Sequence, residues 1–212
     1  LDTADGGICV HLLLVTGFLG SGKTSLIIWL ADAARLRGRA PAIVVNEIGD
    51  IGIDDQLLRR LDNNVWQLTS GCICCTLSGE LVDTLHQLDQ RDDVDLVIVE
   101  ASGAADPKSV LAALPYYRGR ELDSVRWVAV LDPFRLPMLL EVMTPLVEGG
   151  IGLADTVVVA RCDLATADEA SFAESAATGV NPSACVFRLD LTRALPPELI
   201  ERLLPPEAET AP

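Results

Sequence analysis

Val10-His11-Leu12-Leu13-Leu14-Val15-Thr16-Gly17-Phe18-Leu19-Gly20-Ser21-Gly22-Lys23-Thr24 is the stretch that decides how this chain folds. Residues 10–15 form an apolar, β-rich run, and residues 17–24 match G-x-x-x-x-G-K-[ST] at every fixed position. A helical pattern follows over residues 23–37. Strand, glycine-rich loop and helix in that order make a phosphate cradle. Glycines let successive backbone N–H groups curl around phosphate oxygens, and the positive end of the next helix points at them. Lys23 is expected to reach the β- and γ-phosphates of a nucleoside triphosphate, and the Thr24 hydroxyl to coordinate Mg²⁺. Gly17, Gly20, Ser21, Gly22, Lys23 and Thr24 are therefore candidate nucleotide-binding residues. Ser25 is carried with them, although a plain helix position suits it as well.

Outward from this loop, short β-rich runs alternate with helical patterns. The runs cover residues 10–15, 42–45, 94–99, 125–131, 156–159 and 184–187, and the helical patterns cover 23–37, 79–90, 107–114, 133–147 and 167–178. Such alternation predicts right-handed βαβ units in an α/β fold of the P-loop NTPase type: a doubly wound, mostly parallel sheet with helices on both faces. Half the residues are apolar and only 4% aromatic, so Val, Leu, Ile and Ala must fill the core, as in a parallel sheet flanked by helices. With 212 residues and no glycine- or serine-rich linker, one domain is expected over residues 1–192. Residues 193–212, with five prolines around one helical pattern, read as a short helix and a proline-rich tail, loose over about its last eight residues.

A formal charge of −15 argues against a nucleic-acid partner, because a phosphate backbone would be repelled. No apolar run approaches the roughly 20 residues that span a bilayer. Residues 1–7 lack the basic start and apolar stretch of a signal peptide, so a cytoplasmic setting with reduced thiols is expected.

Three further segments carry chemistry. Asp95-Leu96-Val97-Ile98-Val99-Glu100 is an apolar strand ending in a carboxylate, as the acidic element that holds Mg²⁺ opposite a phosphate loop should be. Gly103, shortly after, offers an N–H that would sense the γ-phosphate. Gly71-Cys72-Ile73-Cys74-Cys75 puts three thiols in four positions, where they can converge on a cation that favours thiolates, such as Zn²⁺ or Cu⁺, and leave Zn²⁺ and Co²⁺ both open as cargo. A water, Glu47 or a partner's ligand would complete a tetrahedron. A redox pair and a buried apolar turn are the alternatives for this cluster. Asn46-Glu47-Ile48-Gly49-Asp50-Ile51-Gly52-Ile53-Asp54 lies between phosphate loop and thiols and suits a mobile switch. Cys9, Cys162 and Cys185 are expected to be small core hydrophobes, and His11 and His86 to be core or surface residues.

Taken together, GFLGSGKT (17–24), NEIGDIGID (46–54), GCICC (71–75) and EASGAADP (100–107) resemble the CobW-type metallochaperone GTPases, relatives of the nickel-insertion proteins HypB and UreG. The resemblance covers residues 10 to about 191. It implies a GTPase that couples GTP/GDP state to binding and delivery of a transition metal. By the same resemblance, Asp50 and Glu100 join Thr24 around Mg²⁺ and the attacking water, with Lys23 on the phosphates. Cys72, Cys74 and Cys75, with Glu47, would hold the transition metal, and the partner would be a client metalloprotein or metal-inserting enzyme, with a homodimer as a further option. The family usually has Asn-Lys-x-Asp for base recognition, where this chain has Ala160-Arg161-Cys162-Asp163. Asp163 retains the acceptor for both guanine N–H donors, and the Arg161 stem is expected to lie across the base. Ala160 loses the asparagine's hydrogen bonds, lowering guanine selectivity by roughly 1–2 kcal/mol.

GTP remains the expected nucleotide, with ATP as the alternative. Two other readings stand beside the switch: a metal-storage module whose nucleotide is structural, and a small-molecule kinase, which would need an arginine-rich lid that the sequence does not display. With neither a clear catalytic base nor an arginine finger in the sequence, turnover is expected to be low.

Overall fold

Alternate residues of one short strand, Leu12 and Leu14 against Leu13 and Val15, enter two different cores, and the whole architecture follows from that division. The fold is that of a computed structural model describing residues 9–45, 65–67, 77–101 and 107–206. Seven parallel strands, β1 (Val10–Gly17), β2 (Pro41–Val45), β3 (Val65–Gln67), β4 (Leu96–Glu100), β5 (Leu122–Leu131), β6 (Thr156–Val159) and β7 (Cys185–Arg188), form one sheet in the order β3-β2-β4-β1-β5-β6-β7. A parallel sheet buried on both faces needs near-continuous apolar strands, and β2, β6 and most of β1 are buried without a break.

One face is covered by α1 (Lys23–Leu36) and α7 (Pro197–Leu203), which pack Leu26, Ile27, Leu30, Leu199 and Leu203 against Leu13, Val15, Ile43, Ile98 and Val130. The other carries α2 (Leu77–Leu88), α3 (Pro107–Ala113), α4 (Leu136–Val142), α5 (Thr144–Leu153) and α6 (Ala167–Val180), with Leu81, Leu85, Val110, Leu136, Ile151 and Ala173 over Leu12, Leu14, Val97 and Ala129. Each fully buried Leu or Ile contributes about 1.5–3 kcal/mol. From β1 the chain crosses through α1 on one face, and from β4 through α3 on the other. The crevice between the carboxyl ends of β1 and β4 is thus where a doubly wound sheet opens to a ligand.

The structure departs from the sequence reading in four places. β3, only three residues long, was too short to register as a periodic run. The helix expected over 133–147 is two helices bent by 114°, because Pro145 has no N–H to continue α4 and its ring excludes the helical carbonyl behind it. The tail is held further than expected: α7 is built into the core, Pro205 is buried, and the Pro206 carbonyl accepts hydrogen bonds from Arg39 Nε at 2.9 Å and Nη2 at 2.7 Å. Cys9 is exposed and Cys162 and Cys185 only half-buried, so none is a fully buried core residue. Among the described residues no single helix is long and apolar enough to cross a membrane.

Candidate nucleotide site

The loop between β1 and α1 is shaped by glycine. Gly17 has φ 148°, and a Cβ there would fall 2.4 Å from the Val130 carbonyl oxygen of β5. Gly22, at φ 99°, is the left-handed residue that opens α1, where a β-carbon would meet Leu191 Cδ1 at 2.7 Å. A backbone bond from Ser21 N–H to Phe18 O, 3.1 Å, closes the loop into a compact cup. Ser21 Oγ is buried in this cup and has no hydrogen-bond partner among the described residues. Buried hydroxyls are normally paired, so an orphan here is a feature that a phosphate oxygen would satisfy.

Lys23 is 4% exposed although it carries a charge. Its ammonium donates to Phe18 O at 3.3 Å and lies 3.6 Å from Glu100 Oε1. Thr24 Oγ1 donates to both Glu100 oxygens, each at 3.2 Å. Sheet register explains the meeting: Glu100 ends β4 directly beside Val15 of β1 and Val45 of β2. Sequence reasoning named these three residues, and the fold brings them together. A hydroxyl beside a carboxylate is an all-oxygen donor set, which suits Mg²⁺, and a buried ammonium beside them suits phosphate. The residues present fit a magnesium nucleotide.

A second cluster grips the outside of the loop. Asp132, the residue directly after β5, is 5% exposed. Its Oδ2 lies 3.0 Å from Arg161 Nη1 and 3.8 Å from Arg135 Nε, and its Oδ1 accepts the Phe134 N–H at 3.1 Å. Arg135 Nη1 donates to Leu19 O at 2.8 Å, and Arg161 Nη1 to Gly20 O at 3.2 Å. Asp132 and Arg135 were missed in the sequence. The available signal was the run Val128-Ala129-Val130-Leu131-Asp132, a second apolar strand ending in an acid.

The family model described as CobW/HypB/UreG, nucleotide-binding domain, matches residues 11–188. The chain belongs to the CobW/HypB/UreG family. Two curated relatives are a protein named "Zinc chaperone YjiA" from Escherichia coli, 30% identical over 74% of this chain and 50% of its own length, and "Zinc chaperone CobW" from Pseudomonas aeruginosa, 37% identical over 49% of this chain and 30% of its own length. The chain thus spans half or less of the length of these relatives. Among solved structures, "Zn(II)-bound YjiA GTPase from E. coli" has a TM-score of 0.58 at 23% identity, covering 88% of this chain and 61% of that one. This likeness carries the fold alone.

Other candidates are placed as follows in this CobW/HypB/UreG domain. Ser25 is exposed on the first turn of α1. Arg161 adopts a left-handed backbone, φ 55°, uncommon for a residue with a β-carbon. Its guanidinium head is tied to the loop and to Asp132, which the sequence did not foresee. Asp163 is exposed in the turn that follows. Ala160 is fully buried and continues β6 by bonding to Leu131 O at 2.9 Å. The Cys162 thiol donates to Val159 O, and burial pushes its titration upward, so it is held as a neutral thiol. Glu47, Asp50, Cys72, Cys74, Cys75 and Gly103 lie outside the described residues. Among the described residues no three His, Cys, Asp or Glu side chains converge as a metal site.

Proposed function

We propose that this domain is a Mg²⁺-dependent GTPase that couples its nucleotide state to binding a transition metal, zinc by preference, and delivering it to a client metalloprotein. The observation that carries the reading is the convergence of Lys23, Thr24 and Glu100 at the carboxyl ends of β1 and β4. Membership of the CobW/HypB/UreG family and the zinc-chaperone names of its relatives support the cargo.

In this reading Lys23 exchanges Phe18 O and Glu100 for phosphate oxygens, and the loop's N–H groups hold the rest of the phosphate chain. Thr24 and Glu100, with Asp50, would hold Mg²⁺, which when bound neutralises charge on the phosphates. Water attacks the γ-phosphorus in line, the bond to the β–γ bridging oxygen breaks, and the products are GDP and phosphate. Fixed donors around those oxygens stabilise the transition state without reorganising. Asp163 reads guanine. The segment 46–64 starts at Val45, the register neighbour of Glu100, so a change at the phosphates has a short path to it. That segment carries Glu47 and Asp50, and the thiols follow at Cys72, Cys74 and Cys75.

The test is a Zn²⁺ and Co²⁺ titration with GDP and with a non-hydrolysable GTP analogue, read by thiolate–Co²⁺ absorption, with Cys74→Ser as control. Affinity that differs several-fold between nucleotide states, and is lost in the variant, is the expected result. Equal affinities would make the nucleotide structural and the domain a metal store. Absence of Mg²⁺-dependent GTP hydrolysis under every metal condition would end the enzymatic part of the proposal.

A further inference from the structure

Two arginines bond the carbonyls of the phosphate loop from outside it, and both lean on one buried carboxylate. Arg135 Nη1 meets Leu19 O at 2.8 Å, Arg161 Nη1 meets Gly20 O at 3.2 Å, and Asp132 Oδ2 lies 3.8 and 3.0 Å from the two guanidiniums. A Cβ on Gly20 would come within 3.1 Å of Arg135 Nη1, so the guanidinium sits directly against the loop. The chain has a formal charge of −15, yet it places two cations against two consecutive peptide groups.

The chemistry of those peptides gives the arrangement a purpose. Every peptide bond among the described residues is trans, so the N–H of each peptide points away from its own C=O. Leu19 C=O shares a peptide with Gly20 N–H. A charge-assisted bond on that carbonyl draws electron density toward the oxygen and makes the N–H on the far side a stronger donor. With the carbonyl turned out toward Arg135, the Gly20 N–H is turned to the inner side of the loop, where phosphate would lie. Arg161 acts in the same way on the peptide of Gly20 and Ser21. Asp132 fixes both guanidiniums in register, through its ion pairs and through the Phe134 N–H, 3.1 Å from Oδ1.

We propose that Arg135, oriented by Asp132, is a positioning residue for nucleotide binding: it acts through the Leu19–Gly20 peptide by holding it in place and strengthening the Gly20 N–H as a phosphate donor. In this role Arg135 acts from behind the peptide rather than on the phosphate, which separates it from an arginine finger. The inference rests on the reading of residues 17–24 as a nucleotide cradle.

The experiment compares wild type, Arg135→Gln, Arg135→Lys and Arg91→Gln for binding of GDP and a non-hydrolysable GTP analogue, and follows the Gly20 amide proton by NMR in the GDP complex. Arg91 is paired with Asp93 on a turn away from the loop and supplies a matched change in net charge. Arg135→Gln is expected to weaken both nucleotides by about tenfold and to move the Gly20 proton upfield. Arg135→Lys should restore most of both effects, and Arg91→Gln should change neither by more than about twofold. Unchanged affinity in Arg135→Gln overturns the proposal. So does weakened affinity with the Gly20 resonance unmoved, or an equal loss in Arg91→Gln. If wild type itself binds no nucleotide, the reading of the loop fails together with this one.

Discussion

Lys23 and Thr24, both partners of Glu100, belong to other roles as well, and removing the carboxylate charge should expose what each then lacks. In Glu100→Gln the amide oxygen still accepts from Thr24, but the Lys23 ammonium, 4% exposed, loses its anionic partner and keeps the Phe18 carbonyl at 3.3 Å among the described residues. At 3.6 Å and an effective dielectric near 20, the attraction that disappears is about 4–5 kcal/mol. Part of it is recovered because Glu100 is 14% exposed and water can follow the change, which leaves a net loss of about 2 kcal/mol in the nucleotide-free protein. For a domain of this size that lowers Tm by about 4–8 °C. On the proposed reading, bound GDP would bring phosphate oxygens to Lys23 and take over the lost role, so with saturating GDP and no Mg²⁺ the deficit should fall below half. Urea or thermal melts of both proteins, with and without GDP, measure it. Equal destabilisation in the two conditions would refute the argument that Lys23 exchanges Glu100 for phosphate, and no destabilisation without nucleotide would refute the ion pair's value.

Two further outcomes are expected. Gly17→Ala places its β-carbon 2.4 Å from a backbone carbonyl of β5 and forces an L-residue into φ 148°, so stability should drop by about 3 kcal/mol or more by urea denaturation, and nucleotide binding should be lost as the cup reopens. His11 sits within β1 with Ser124 Oγ 2.9 Å and Asp123 3.3 Å from Nδ1. Burial, outweighing the pull of Asp123, holds its pKa below 6.5. The folded state then binds the proton less readily than the unfolded one. Stability is therefore full above about pH 6.5 and declines as pH falls through that value, levelling off below the lowered folded pKa; His11→Asn should flatten this stretch of the pH–stability curve.

The phosphate loop and the parallel sheet were legible because their local rules agree: short continuous apolar, β-rich runs for strands buried on both faces, glycines where φ is positive, and a helix opening at Lys23. Glu100 was legible for a different reason, since an acid at the end of an apolar strand gains meaning only beside a phosphate loop. The same signal at Asp132 passed unread, because nothing in the sequence says that β5 pairs with β1 and sets Asp132 beside the loop. Arg161 was placed by analogy with a lysine under a base, whereas its left-handed backbone puts its head on Gly20 O and Asp132, a conformation that residue type alone does not announce. The break at Pro145 was a local signal overridden by the apolar periodicity around it. β3 has only Val65, Trp66 and Gln67 and owes its place to pairing with β2 rather than to a pattern of its own.

Arg37 and Arg39, at the far end of α1, bond the carbonyls of Pro205 and Pro206. The fourteen residues of α1 separate that edge from the phosphate loop by about 20 Å. A dye or surface tether attached just after Pro206 would therefore leave from the side of the sheet remote from the nucleotide. Immobilised through that point, the domain would present its phosphate loop and Arg135 to solution, and a sensor surface would report nucleotide association without its own linker standing in the way.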